Sequence, residues 1–377
     1  LNNMESVANQ ISGTVTSAAI SDRDACIVVS GVVKCIGLNT YSTVAGFNST
    51  SSTQTTWLTN SNLNANVIKV GGAFNRCALK TGGELWCWGY NSMGELGLGN
   101  TTATYTPTKI FASGVADFLG YNGIICALMT DGTVQCSGAA YLNGTASASN
   151  TFHVVPGITA ATAISNGSDT PCVIEGGGVK CWGNNGFGQV GFSASGHQTP
   201  AFVTNLGAGS NVNHVYSGPY NNCATTTSGA LYCWGNNANA QIGGSTSAAN
   251  MAPFQVYSSG VSGVYMAYYA ICAQVNGVLK CNGSDQYAVT GTGADSTNFT
   301  FKYVQGLNHV SNISAARGNA CALIDNGTVR CWGDNLYGQL GNGITDLKAS
   351  TPSTAVTGIT TATQIAISVQ NGCALLA

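Results

Sequence analysis

Fourteen of the fifteen cysteines in this chain fall into seven pairs whose members lie nine or ten residues apart: Cys26 with Cys35, Cys77 with Cys87, Cys126 with Cys136, Cys172 with Cys181, Cys223 with Cys233, Cys272 with Cys281 and Cys321 with Cys331. Cys373 is left over. The leading cysteines recur every 46 to 52 residues. That period suits the blades of a β-propeller and exceeds the tetratricopeptide and leucine-rich units, whose signatures are missing. Within each pair the residues are apolar and β-branched on both sides of a glycine-containing turn, as in C-I-V-V-S-G-V-V-K-C and C-A-L-I-D-N-G-T-V-R-C. Each pair therefore brackets a β-hairpin. A two-residue turn at Ser30-Gly31 makes residues 29 and 32 the first facing pair, and counting outward sets Cys26 opposite Cys35. Facing residues lie about 4.5 to 5.5 Å apart at Cα, within the span of a disulfide. The ten-residue spacing of Cys126 and Cys136 fits a three-residue turn around Asp131-Gly132 and keeps the same parity.

Zinc is the alternative use for so many cysteines, but it wants paired knuckles or histidine partners. The four scattered histidines, His153, His197, His214 and His309, cannot complete seven sites. Disulfides in turn place the chain in an oxidising, extracellular or cell-surface setting. Eight Asn-x-Ser/Thr sequons, at Asn48, Asn100, Asn143, Asn166, Asn282, Asn298, Asn312 and Asn326, are compatible with that history.

Another short apolar stretch precedes each first cysteine, for example V-I-K-V-G-G-A-F-N-R before Cys77, and reads as a strand A ahead of the hairpin strands B and C. After the second cysteine a Gly-rich turn leads into a Thr- and Ser-containing strand D. Four short antiparallel strands per repeat, with no helical period, make an all-β, seven-bladed propeller of residues 14–377 with one disulfide inside each repeat. Residues 1–13 form a lead segment with Leu1, Met4, Val7, Ala8 and Ile11 at helical spacing, readable as a short helix or the end of a stalk. Ala366-Ile367-Ser368 before Cys373 repeats Ala19-Ile20-Ser21 before Cys26, so seven full units are followed by half of another. Either these last strands complete the first blade or they begin an eighth; seven blades is the favoured count.

The segments C-W-G-Y-N-S-M-G-E-L-G-L-G, C-W-G-N-N-G-F-G-Q-V-G, C-W-G-N-N-A-N-A-Q-I-G and C-W-G-D-N-L-Y-G-Q-L-G-N-G, which open at Cys87, Cys181, Cys233 and Cys331, resemble the repeats of the regulator of chromosome condensation family. Three other units are degenerate, with Cys35-Ile36-Gly37, Cys136-Ser137-Gly138 and Cys281-Asn282-Gly283 in place of C-W-G. The resemblance implies a seven-bladed propeller and no single activity. Paired cysteines and scarce charge set this chain apart from the family's nuclear exchange factor.

Charged residues make up only 7% of the chain and the net charge is −2, so it lacks the electrostatic footprint of a nucleic-acid binder. It also lacks an apolar run long enough to insert in a membrane. No G-x-S-x-G elbow, phosphate loop or carboxylate cluster marks a catalyst, and no cofactor or metal is expected.

Recognition is expected instead at the A–B tips, which lie on the same face as the C–D loops and around the channel mouth. The tip residues Arg23, Phe74, Arg76, Tyr121, Asp169, Tyr220, Asn221, Tyr268, Tyr269 and Arg317 are the candidate binding set, because Tyr and Arg are enriched at binding hot spots. Trp88, Trp182, Trp234 and Trp332 recur at one repeat position and read as packing between blades. The leading function is an extracellular binding or adhesion module that engages a protein or glycan on a cell surface. A structural subunit of a surface appendage is the alternative, and a secreted hydrolase or lyase ranks behind both.

Overall fold

The computed structural model describes residues 13–21, 24–39, 43, 53–121, 123–167, 169–192, 196–244, 251–293, 297–343, 348–352, 354–369 and 372–377. The N-terminal lead segment, apart from Gly13, lies outside them. Among the described residues the chain is strand and turn throughout. Blade 1 comprises Val15–Ile20, Asp24–Val29, Val32–Leu38 and Thr53–Thr59; blade 2, Val67–Gly71, Asn75–Lys80, Leu85–Gly89 and Thr104–Phe111. Blade 3 comprises Val115–Tyr121, Ile124–Met129, Val134–Gly138 and Ser149–Val154; blade 4, Ala161–Asn166, Pro171–Glu175, Gly178–Asn184 and His197–Phe202. Blade 5 comprises Val212–Ser217, Asn221–Thr226, Leu231–Gly235 and Met251–Tyr257; blade 6, Val261–Met266, Ala270–Val275, Val278–Gly283 and Asn298–Tyr303. Blade 7 comprises Val310–Ala315, Asn319–Ile324, Val329–Asp334 and Lys348–Ala349.

Each blade is a four-stranded antiparallel meander in the order A-B-C-D, the plan of a seven-bladed propeller. A two-stranded sheet, Ala362–Ile367 with Gly372–Leu376, follows. Because blade 1 draws all four strands from its own repeat, the C-terminal hairpin is the first half of a further unit. The chain divides into two compact units, one built from blades 1 to 4 and one from blades 5 to 7, the C-terminal hairpin and the loop after Asn185.

All seven expected cysteine pairs face one another across strands B and C and are bonded, with Cα atoms 4.0 to 4.1 Å apart. Cys26 is joined to Cys35, Cys77 to Cys87, Cys126 to Cys136 and Cys172 to Cys181. Cys223 is joined to Cys233, Cys272 to Cys281 and Cys321 to Cys331. The turns fix this register. Ser30 and Gly31 both take positive φ, 49° and 78°, as a two-residue hairpin turn requires. In blade 3 the Met129 N–H donates to Thr133 O at 2.8 Å around Thr130-Asp131-Gly132, the expected three-residue loop. Cys373 has no disulfide partner and is exposed.

Strand B is buried in every blade, because side chains pack against both of its faces. The tryptophan that follows Cys87, Cys181, Cys233 and Cys331 is held by a hydrogen bond to a C–D loop carbonyl. Trp88 Nε1 donates to Thr43 O at 2.9 Å, Trp182 to Leu142 O at 2.8 Å, Trp234 to Gln189 O at 2.8 Å and Trp332 to Val289 O at 2.9 Å. Each acceptor belongs to the C–D loop of the preceding blade, and all four indoles are buried. Two degenerate repeats keep the donor without the ring: Ser137 Oγ reaches Glu95 O and Asn282 Nδ2 reaches Ala240 O, both at 2.6 Å. Asn282 and Asn143 are fully buried with their amide nitrogens donating, so these two sequons have no free amide for a sugar.

Glu95 departs from the repeat in a way that pH should reveal. In other C–D loops a glutamine oxygen accepts from the N–H two residues earlier: Gln189 from Phe187 at 2.7 Å, Gln241 from Asn239 at 3.0 Å and Gln339 from Tyr337 at 2.9 Å. Glu95 takes that place with Oε2 accepting from Met93 N at 2.9 Å, while buried Oε1 has no hydrogen-bond partner among the described residues. Burial pushes its carboxyl pKa up. A pKa raised on folding gives stability that is fully present below the unfolded value and lost as pH rises through the folded one. Glu95→Gln is therefore expected to raise the urea midpoint at pH 8 more than at pH 5; an equal effect at both would contradict this.

Candidate binding surface

The second unit gathers five aromatic rings and one arginine from four successive repeats into a continuous arc. Phe187 comes from the C–D loop of blade 4, Tyr220 from the A–B tip of blade 5, Tyr268 and Tyr269 from the tip of blade 6, and Tyr287 from its C–D loop. Ring centroids are 5.0 Å apart for Phe187–Tyr220, 5.3 Å for Tyr220–Tyr268, 4.6 Å for Tyr268–Tyr269 and 5.3 Å for Tyr269–Tyr287. The last pair is stacked, whereas Tyr220–Tyr268 and Tyr268–Tyr269 meet edge to face, both arrangements the ring quadrupoles favour. From the tip of blade 7, Arg317 lies with its Cζ 5.3 Å from the Tyr268 centroid and Nη2 donating to Tyr269 Oη at 3.5 Å.

Glycine holds these tips in place. The residue two after each second cysteine is glycine in every blade, degenerate repeats included. Gly283 has φ of 131°, and a Cβ there would sit 2.2 Å from Tyr269 O. Only a bare backbone fits, and Ser284 N–H donates to the same carbonyl at 3.0 Å. Gly235 repeats the device beneath Tyr220, whose carbonyl accepts from Asn236 N–H at 2.9 Å. Each tip is also closed on itself, Gly218 N–H to Asn221 O at 2.8 Å and Ala267 N–H to Ala270 O at 2.9 Å. The aromatic residues are thus presented on short, hydrogen-bonded loops, which lose little entropy on binding.

Electrostatically the arc is neutral with one cationic end. The Tyr268 hydroxyl is pushed up to about 12, first by its hydrogen bond with Tyr220, then by burial and the adjoining Tyr220 and Tyr269, with Arg317 opposing. It therefore stays protonated across the physiological range. The Tyr269 hydroxyl holds the exposed Arg317 guanidinium more firmly charged. None of the ion pairs among the described residues involves Arg317. Half-buried rings, their hydroxyls and one exposed cation outside those ion pairs are the groups of an interface hot spot. No group of three His, Cys, Asp or Glu side chains that could hold a metal occurs among the described residues.

The ten residues chosen from sequence fall into separate places. Tyr220, Tyr268, Tyr269 and Arg317 come together in the arc. Phe74, Tyr121 and Asp169 are half-buried tip residues of the other unit. Arg76 and Asn221 are both buried at the start of strand B, Arg76 as its second residue and Asn221 as its first, instead of projecting from a tip. Arg76 pairs with Asp24, also buried, and Asn221 Nδ2 turns inward to Asn236 O at 3.4 Å. Arg23 lies outside the described residues. Phe187 and Tyr287 were not among the ten, yet both sit six residues after a second cysteine, where Met93 and Tyr337 also occur.

The repeat profile described as "Regulator of chromosome condensation (RCC1) repeat" matches residues 82–118, and a second profile of the same description matches 212–241 and 310–339. The E3 ubiquitin-protein ligase HERC2 of Homo sapiens is 27% identical over 299 residues, covering 74% of this chain and 6% of that protein. The ultraviolet-B receptor UVR8 of Arabidopsis thaliana is 25% identical over 270 residues, 70% of this chain and 52% of that one. This chain thus spans a small part of the first relative and about half of the second. Among solved structures, Prp20p from Saccharomyces cerevisiae superposes with a TM-score of 0.71 at 19% identity over 91% of both chains. That protein's structure was described together with its binding to Gsp1p and histones. Human WBSCR16 gives 0.68 at 18% identity, covering 97% of this chain and 87% of that one.

Proposed function

We propose, from the premise that this chain is a propeller built of regulator of chromosome condensation repeats, that it is a binding module whose partner is a protein docked on the Phe187–Tyr287 arc. The observation that carries the reading is the arc itself, in which three repeats contribute contiguous aromatic rings and a fourth caps them with an arginine outside the ion pairs among the described residues. Isolated exposed aromatics are ordinary, whereas a contiguous patch on preorganised loops is what protein interfaces use. Protein binding is also what is described of Prp20p, on the same fold. The partner itself does not carry over, because seven disulfides suit an oxidising, extracellular or cell-surface compartment. Recognition, not turnover, is the role that fits rings and hydroxyls without an acid–base pair.

The test is a binding screen of the immobilised chain against cell-surface and matrix proteins, with a glycan array alongside, followed by affinity measurement on each hit. Tyr220→Ala combined with Tyr268→Ala and Arg317→Ala should weaken the protein hit by at least about thirtyfold, as loss of hot-spot side chains does. Tyr303→Ala, on the outer strand of blade 6, should leave it unchanged. A protein hit whose affinity survives the triple change would overturn the site, and hits on glycans alone would overturn the partner class.

A further inference from the structure

The aromatic arc is built to donate hydrogen bonds. Tyr268 and Tyr220 share one between their hydroxyls, which leaves the accepting hydroxyl's own proton for a ligand. The Tyr269 hydroxyl accepts from Arg317 Nη2 at 3.5 Å and keeps its proton in the same way. Arg317 spends a single N–H of its fork on that bond and stands outside the ion pairs among the described residues.

The same geometry limits what can lie there. Neighbouring rings are in contact, with centroids 4.6 to 5.3 Å apart, so a partner's side chain cannot wedge between them and the ligand must lie across them. Strand pairing is not on offer either, because the tips are turns whose backbone groups bond internally. Gly218 N–H donates to Asn221 O at 2.8 Å, Ala267 N–H to Ala270 O at 2.9 Å and Ala316 N–H to Asn319 O at 2.9 Å. The ligand is therefore a narrow rod that rests on ring faces and accepts hydrogen bonds from hydroxyls.

A polyproline-II segment meets each condition. It rises about 3.1 Å per residue, so one ring-to-ring step of the arc spans one to two of its residues. Proline rings lie flat on aromatic faces, and a proline backbone has carbonyl acceptors but no N–H, the complement of a surface that donates. At the Arg317 end the guanidinium, steadied 5.3 Å from the Tyr268 centroid and bonded to Tyr269, presents a fork that fits a carboxylate. Resting on the protein-binding reading above, we propose that the partner docks on the arc through a proline-rich polyproline-II segment, and that an Asp or Glu at one end of this segment pairs with Arg317. The rings supply apolar contact, the hydroxyls fix the depth and the ion pair sets the direction in which the segment runs.

The probes are end-capped synthetic oligoproline peptides carrying one glutamate at the N-terminal or the C-terminal end, titrated into the full chain by calorimetry. One of the two orders should bind at least about tenfold tighter than its glutamine counterpart, the worth of a hydrogen bond to a charged group. It should also bind at least about tenfold tighter than a peptide with glycine at alternate prolines, which must be ordered on binding. Arg317→Gln should erase the preference for glutamate and leave the affinity of the glutamine peptide within about twofold, while Tyr268→Ala should weaken both. Equal affinity for the glutamate and glutamine peptides, a glutamate preference that survives Arg317→Gln, or equal affinity for the proline and glycine peptides would overturn the proposal. So would a failure of every peptide to bind while a protein hit is lost in the triple variant; that result would leave the arc as a protein-binding site and remove only the proline-rich segment.

Discussion

Arg76→Ala is expected to destabilise the unit of blades 1 to 4 by roughly 3 to 5 kcal/mol, the cost of leaving one charge of a buried pair alone. Arg76 and Asp24 are 0% and 1% exposed at the side chain. The guanidinium bonds to Asp24 Oδ1 and to the Gly72 carbonyl, while Asp24 also accepts from Ser21 Oγ. The pair joins the first residue of strand B in blade 1 to the second residue of strand B in blade 2. Removing Arg76 strands the Asp24 carboxylate in an interior that cannot solvate it. Replacing both members with apolar residues, Asp24→Leu with Arg76→Met, should cost clearly less than Arg76→Ala alone, since no bare charge remains. Urea midpoints of the three variants check this; a double variant as weak as the single one would show that lost packing, not an orphaned charge, sets the cost.

Trp332→Ala should be of similar size in the other unit, about 3 to 5 kcal/mol. The indole is fully buried in the core shared by blades 6 and 7, with Val304, Val310, Ile313 and Ala320, and its N–H satisfies Val289 O. Truncation opens a large cavity and also orphans that carbonyl. Trp332→Phe keeps most of the ring volume and loses the hydrogen bond, so it should cost much less than alanine. Should Trp332→Phe prove as damaging as Trp332→Ala, the single donor and not the volume would be holding the blades together.

The hairpins and their sulfur bonds were readable because strands alternate with period two, so a spacing of nine with a two-residue turn, or ten with a three-residue turn, leaves only one parity. Cys26 with Cys35 shows the first case, and Cys77 with Cys87, Cys223 with Cys233 and Cys321 with Cys331 show the second. The arc was half readable. Tyr220, Tyr268, Tyr269 and Arg317 stand in tips that the repeat alignment marks, but Phe187 and Tyr287 stand in C–D loops, where in blade 4 the pattern Asn185-x-x-Gly188-Gln189 draws attention to its turn residues and in blade 6 Asp285-Gln286-Tyr287-Ala288-Val289 departs from that pattern. Arg76 went the other way. Its position just before a first cysteine holds Ala25, Ile125, Pro171, Asn222, Ile271 and Ala320 in the other blades, all buried. A charge at such a position must bring a buried partner, and Asp24, one residue ahead of the matching position in blade 1, was the signal available. Which blades' tips draw together is a tertiary matter that no local pattern encodes.

Every feature above depends on each blade closing its own disulfide between strands B and C. Alkylating the native protein under denaturing, non-reducing conditions and mapping its peptides by mass tests this directly. The expected result is one modified thiol, Cys373, and seven bonds that each join cysteines nine or ten residues apart. Several free thiols, or bonds joining cysteines of different repeats, would contradict it.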